Sequence, residues 1–335
     1  MLNEASRKMT FGQHIGVFIK SSSARVTFII AFLVLLITWL LTPGMNVTNT
    51  LSSVLILTIL LSIASAGQTI VLVGGGLDFT VGAVMSSTAI LTTYIMNGQE
   101  GKFLIVFGLA MGIGLIIGLI NGIVTTKINL PPMILTMAVS NIVTRMQYVL
   151  TQGTPSGYAS KTFSDTIHTK IFGIETPIIG WVPMIVIYAM IVWPLVFFLL
   201  NRSTFGRQLF LVGSNPNAAK LNGVNVNKIK VVSYVLSGLL CAFAGMLGAA
   251  YMQTARCQIF DKYAFNSLIA VIVGGTAFSG GVGTYAGSIA GSMLMVVLDN
   301  ALTLMNMSQD TQNVTRGIVM ILLLIIYNRQ KAVRQ

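Results

Sequence analysis

Residues 26–77 read VTFIIAFLVLLITWLLTPGMNVTNTLSSVLILTILLSIASAGQTIVLVGGGL, 52 positions without a single charge. A bilayer's hydrocarbon core of ~30 Å is crossed by roughly 20 helical residues. This run therefore holds two crossings, with Pro43, Gly44, Asn46 and Asn49 supplying the turn between them. Working outward, further uncharged runs lie at 79–99, 103–126, 128–144, 176–201, 231–255 and 263–298. The last is again long enough for two crossings. Its middle carries Gly274, Gly275, Gly280, Gly281 and Gly283, which weaken a continuous helix and predict a tight reversal. A final apolar stretch, 317–327, reaches span length only if Arg316 snorkels. The reading is an all-α polytopic membrane protein of about ten transmembrane helices, a single membrane domain over 1–335.

Composition agrees. The chain is 54% hydrophobic and only 8% charged, with a mean hydropathy of +0.83, where a soluble domain carries about a quarter charged residues. An even span number puts both termini on one side, and positive charge marks that side as the cytoplasm. With both ends inside, 13 of the 20 Lys and Arg fall in internal segments. Lys102, Lys161, Lys170, Arg256 and Lys262 fall outside, and Arg145 and Arg316 lie within spans. The net charge of +12 is then a set of topology signals and calls for no nucleic acid. Cys241 in a span and Cys257 in a short external loop form no metal-ligand pattern, and no disulfide is expected. The polar residues before position 26 lack a cleavage-site pattern, so the first span is read as a retained anchor.

Two stretches between spans exceed simple turns: the polar external loop 151–177 and the internal loop 201–230. In the second, Ser214 or Asn215 is placed to cap a helix, Pro216 suits its first position and Gly223 its end. So short a helix is unstable in water alone. Either a partner protein or the chain's own span ends must hold it. The chain has no G-x-x-x-x-G-K-[ST] loop, paired-carboxylate arrangement, Ser/His/Asp constellation or His cluster. If transport is ATP-driven, the ATPase is another polypeptide, and no cofactor is expected.

Four blocks carry a resemblance over nearly the whole chain. Gly74-Gly-Gly-Leu-Asp78-Phe-Thr-Val-Gly82 resembles the G-G-[IL]-D-[LI]-[ST]-V-G motif of permeases of the ribose and galactose type. Asn121-Gly122 followed by Pro131-Pro132-Met-Ile-Leu-Thr136 resembles the next family block. Thr204-Phe-Gly206-Arg207, with Gly213, Asn215, Ala218, Ala219, Lys220 and Gly223, resembles the cytosolic coupling segment. Gly274-Gly275-Thr276 with Gly280, Gly281, Gly283 and Gly287 resembles the late glycine block. The resemblance implies a permease subunit of an ATP-binding-cassette importer for a monosaccharide or similar small polar solute, in the bacterial inner membrane. It further implies a cytosolic ATPase docked on the loop helix, an external solute-binding protein and a second permease subunit, the same or paralogous. One departure stands out. Where the family commonly has Glu-Leu-Asp-Ala-Ile, this chain has Ala264-Phe265-Asn266-Ser267-Leu268, and both acids are missing. That bears on the substrate, on the docking of the binding protein and on the choice of permease partner.

Asp78 falls in a glycine-rich turn between two spans, where a carboxylate suits the N-terminus of the following helix and a gating role is the alternative. With Gly82, Asn121, Gly274, Gly275 and Gly281 it makes the set of motif positions. A charge inside a span faces a partner or a water-filled path, which concerns Arg145, Asp299 and Arg316. Asp299 and Arg316 fall at similar depth and are expected to pair, with Asp310 a rival partner. Gly108, Gly112, Gly114, Gly118 and Gly122, on four-residue spacings, suit close helix packing. The competing function is a secondary transporter or channel independent of an ATPase, for which embedded acidic relays or inverted repeats would speak. The only internal echo is Val71-Leu-Val-Gly-Gly with Val271-Ile-Val-Gly-Gly.

Overall fold

The computed structural model describes residues 23–41, 46–128, 130–168, 182–308, 310–315 and 317–318. As far as Leu304, twelve α-helices follow one another: α1 Ser23–Leu41, α2 Val47–Val73, α3 Val81–Met96, α4 Phe103–Ile128, α5 Pro132–Thr151 and α6 Lys161–His168. Then come α7 Val186–Asn201, α8 Thr204–Ser214, α9 Pro216–Leu221, α10 Val226–Met252, α11 Tyr263–Val273 and α12 Tyr285–Leu304. No β-strand occurs among the described residues.

Five helical stretches are long and apolar enough to cross a membrane: α2, Glu100–Ile128 (which contains α4), α5, α10 and α12. A sixth results if α7 and α8, bent by 61° at their junction, count as one. Helices α1, α3 and α11 are apolar but shorter by the same measure. The uncharged run 263–298 therefore does not divide into two equal crossings. At 1.5 Å per residue, the 11 residues of α11 rise only ~16 Å, while α12 has 20 residues. Beyond its first two residues, the apolar stretch 317–327 lies outside the described residues, as does Arg316.

Helix α2 is the axis of the bundle. Of its most apolar stretch 89% is buried, against 28% for α4 and 17% for α5. Side-chain hydroxyls fasten α2 to α12: Thr69 Oγ1 lies 2.7 Å from Ser288 Oγ, and Ser292 Oγ donates to Ser65 Oγ at 3.1 Å. From α7, Trp193 Nε1 donates to Ser62 Oγ at 2.9 Å. Ser62 O in turn accepts from Tyr285 Oη at 3.1 Å. Such pairs are made where water is excluded, so each leaves a costly orphan if broken.

Helix α10 lies along α4, and small residues set how closely the two approach. A Cβ at Gly118 would come within 2.6 Å of Tyr234 O, and one at Gly122 within 2.7 Å of Val231 Cα. Gly114 meets the backbone of Gly238 directly. Gly108 and Gly112 have open space where a Cβ would stand. The glycine row thus splits into a packing half and an outward half. Gly118→Ala forces two backbones apart and is expected to cost about 1–3 kcal/mol, the usual penalty of overpacking. Gly108→Ala is expected to leave stability unchanged or slightly raised. Thermal unfolding of the two purified variants in detergent checks the contrast, and equal midpoints would contradict this helix contact.

Candidate functional site

Three helix ends among the described residues are closed in the same way around a glycine. After α2, Gly75 N–H donates to Leu72 O and Gly76 N–H to Val71 O, at 3.0 and 2.9 Å. After α11, Gly275 N–H donates to Ile272 O and Thr276 N–H to Val271 O, at 2.9 and 3.1 Å. After α9, Gly223 N–H donates to Lys220 O and Val224 N–H to Ala219 O, both at 3.0 Å. The pattern satisfies the last helical carbonyls and needs a left-handed residue after the cap. Gly75, Gly275 and Gly223 supply it, with φ of 79°, 96° and 76°. The matching pentads at 71–75 and 271–275 are therefore the same structure used twice.

The first two of these ends meet each other through α8. Gly281 N–H donates to Val73 O at 2.8 Å, joining the turn after α11 to the last residue of α2. Gly213, near the end of α8, sits in the angle between them. A Cβ there would overlap Val73 O and stand 2.6 Å from Gly281 N. Gly280 presses on Gly75, where a Cβ would come within 2.9 Å of its Cα, and Gly281 faces Ser214. Leu209 and Val212 on α8 are fully buried. This three-way glycine junction leaves no room for a side chain.

From the junction the chain runs through Leu77 and Asp78 to α3. Tyr234 Oη donates to Leu77 O at 3.2 Å, and Thr136 Oγ1 to the same oxygen at 3.3 Å. Asp78 is buried, and its described partners are neutral donors. Its Oδ1 accepts from Thr80 N at 2.9 Å and from Thr80 Oγ1 at 2.5 Å, while its Oδ2 accepts from Ser237 Oγ at 2.7 Å. Asn121 Nδ2 donates to Thr80 Oγ1 at 3.0 Å, tying α4 into the same network. The carboxylate thus binds the residue that opens α3 to the middle of α10, at the positive end of a helix dipole. Thr80 and Thr136 belong to the quoted blocks, whereas Tyr234 and Ser237 escape the sequence reading, because isolated hydroxyls in apolar helices carry no spacing signal.

The remaining motif positions separate. Gly82 abuts the backbone of Phe260 and Asp261, and Gly274 abuts Gly287. Asn215 caps α9, its Oδ1 accepting from Asn217 N and Ala218 N at 3.0 Å, with Pro216 in the first turn. Arg207 is exposed, and its Nη1 donates to Arg202 O at 3.3 Å. Lys220 and Gly223 are exposed and Ala218 is half-buried. Ala219 requires a correction: it faces inward at 0% exposure, packed into the chain's own core, and so offers no surface to a partner. The outward face of α9 is Asn217, Lys220 and Leu221, the last 89% exposed. Helix α8 is an addition, since Ser203, which caps it by accepting from Gly206 N at 3.0 Å, opens a stretch read as loop. Arg145 points outward from α5. Asp299 Oδ2 accepts from Asn266 Nδ2 at 3.4 Å, and the Asp299–Arg316 pairing lies outside the described residues.

The family described as branched-chain amino acid transport system / permease component matches residues 50–324. The chain belongs to this family. Among the permease's relatives is the ribose import permease protein of Escherichia coli K12, 30% identical over 304 residues, which cover 90% of this chain and 93% of the relative. That of Bacillus subtilis strain 168 is 32% identical over 311 residues, 90% and 91% of the two chains. The L-arabinose transport system permease protein of E. coli K12 is 32% identical over 269 residues, 80% and 78% of the two chains. No solved structure matches. The permease is a transport subunit rather than an enzyme.

The junction makes a discriminating prediction about two glycines of the same loop. Gly213→Ala places a methyl against Val73 O and is expected to lower the thermal midpoint sharply and to abolish function. Gly223→Ala has open space and meets only the left-handed strain of about 1–2 kcal/mol. Melting of the two variants beside the parent measures this, and a milder effect at Gly213 would contradict the junction.

Proposed function

We propose that the permease is the membrane-spanning subunit of an ATP-binding-cassette importer carrying a monosaccharide or similar small polar solute across a bacterial inner membrane. The relatives described as ribose and L-arabinose permeases support the solute class, as do the sugar-permease blocks at 74–82 and 274–287. In this reading the chain is one membrane domain of about ten spans with both termini cytoplasmic. The short helices and the final apolar stretch are counted among the spans, 151–177 forms the external loop, and 201–230 forms the cytoplasmic coupling loop. The alternative of an ATPase-independent transporter has no observation in its favour.

One observation carries the mechanism: α8 and α9 are wedged by Gly213 against the ends of α2 and α11, and α9 presents Asn217, Lys220 and Leu221 outward. A cytosolic ATPase docked on α9 would move α8, and with it both glycine turns. The Asp78 network passes that displacement to α3, α4 and α10. An external solute-binding protein delivers the solute, and a second permease, the same chain or a paralogue, completes the membrane part.

Reconstitution tests the function. Proteoliposomes containing the permease, its ATPase and the binding protein are expected to accumulate ribose or arabinose only when ATP is supplied, while the permease alone neither binds nor hydrolyses ATP. Uptake driven by an ion gradient without the ATPase would overturn the reading. Topology is read separately with single cysteines. Lys161→Cys is expected to react with an impermeant thiol reagent in intact cells. Lys220→Cys is expected to react only in inside-out vesicles and to be shielded when the ATPase is bound. The reverse labelling would invert the orientation.

A further inference from the structure

Charge is divided unevenly between the two ends of the bundle. In the proposed orientation the cytoplasmic end carries Lys127, Lys220, Lys228 and Lys230. Among the described residues, Glu100, Asp165, Asp261, Asp299 and Asp310 all lie toward the external end, and the one acid at the cytoplasmic end, Asp78, is buried. Topology accounts for the lysines but not for the missing acids, because carboxylates hardly influence orientation. A cationic face without an exposed counter-charge of its own suits an anion supplied from outside the chain.

Helix α4 shows where such an anion lies. Its exposed Ile116, Ile120, Ile123 and Lys127 stand three or four positions apart and form one row. From Ile116 to Lys127 the helix rises ~16 Å, close to the ~15 Å depth of one leaflet's hydrocarbon. The row therefore has the length and polarity of a single phospholipid, apolar along the chains and cationic at the headgroup. Helix α10 brings a second cation to the same level. Gly118 abuts Val235 and Gly122 abuts Val231, so the two helices run antiparallel, and this register sets Lys127 level with the first turn of α10. Lys228 is exposed in that turn, which holds no acidic residue. A cation there opposes the helix dipole. An anion at this corner relieves that opposition and the repulsion between the two lysines.

We propose that Lys127 and Lys228 bind the phosphate of an anionic phospholipid of the cytoplasmic leaflet, whose acyl chain lies along the α4 row. The inference goes beyond the proposed function and takes from it only the orientation. The lipid acts as a clamp on the network around Asp78. Asn121 belongs to α4, and Tyr234 and Ser237 belong to α10, so holding these two helix ends together holds the hydrogen bonds that meet at 77–80. Lys220, on the outward face of α9, is left to the ATPase.

Thermal unfolding of the purified full chain in non-ionic detergent, titrated with lipid, tests the site. Phosphatidylglycerol is expected to raise the midpoint, and phosphatidylcholine at the same concentration to leave it in place. Each lysine near an anionic headgroup contributes about 1 kcal/mol. The Lys127→Gln, Lys228→Gln double variant is therefore expected to need about thirtyfold more phosphatidylglycerol for the same shift. The corresponding double arginine variant should respond like the parent. So should Lys102→Gln with Lys161→Gln, which removes equal charge from the external end. An equal response to phosphatidylcholine, an undiminished response of the Lys127→Gln, Lys228→Gln variant, or an equal loss in the external pair would each overturn the proposal. Glycerol phosphate is expected to give no shift, and one matching that of phosphatidylglycerol would assign the corner to a free phosphate and reject the lipid. These readings involve no transport, so a parent chain that fails to import with ATP counts against the proposed function and not against the lipid site.

Discussion

Hydrocarbon supplies no hydrogen-bond partner, so a chain that leaves its helix inside a membrane bundle must pair every freed backbone group within the protein. Where this permease leaves its helices at 74–80 and at 274–284, the two turns are buried against α8, and the same need for partners holds for the backbone groups enclosed there. Both breaks are closed by the same glycine cap, which turns the chain while returning the last carbonyls to amides. What remains open is closed across the breaks: Gly281 N–H reaches Val73 O, and Tyr234 and Thr136 hydroxyls reach Leu77 O. Because the two turns complete each other and Gly213 fills the angle between them, no one of the three segments keeps its geometry if another shifts.

In the proposed function, that mutual dependence is what the arrangement contributes to transport. A short cytoplasmic segment proposed to grip a partner needs a rigid connection to the bundle, or the grip moves nothing. Helix α8 provides it through buried Leu209 and Val212 and through the contact of Gly213 with backbone on both sides. The buried carboxylate of Asp78 extends the connection, holding the start of α3 to α10 through Ser237 and to α4 through Thr80 and Asn121. Lacking a cation among its described partners, it relies on three neutral donors, an arrangement that tolerates burial only while all three stay in place.

Much of this was legible in the sequence, and the rest was hidden for identifiable reasons. Uncharged run lengths revealed the helical membrane fold, and Asn215, Pro216 and Gly223 marked α9 because caps are local chemistry. The late glycine block was correctly placed at a reversal. Run length, however, cannot separate a full crossing from a helix such as α11 followed by an ordered turn, since both are merely uncharged. Helix α8 was missed because Gly206 and Gly213, which lower helix propensity, are kept for close packing against the Leu200 carbonyl and Val73 O. Ala219 sits in the polar loop whose motif resembles the coupling segment. Only the rotation of α9, which no single sequence fixes, turns it inward and leaves Leu221 outside. The same rotational ambiguity concealed which of the glycines in α4 face α10 and where Arg145 points.

The central claim is that the coupling segment and the two glycine turns move as one unit. Hydrogen exchange followed by mass spectrometry, on the permease bound to its ATPase with and without a non-hydrolysable ATP analogue, tests it most directly. Nucleotide is predicted to change protection at 204–221 together with 74–80 and 274–284, all three segments responding. A change confined to 204–221, with both glycine turns exchanging as before, would contradict the account.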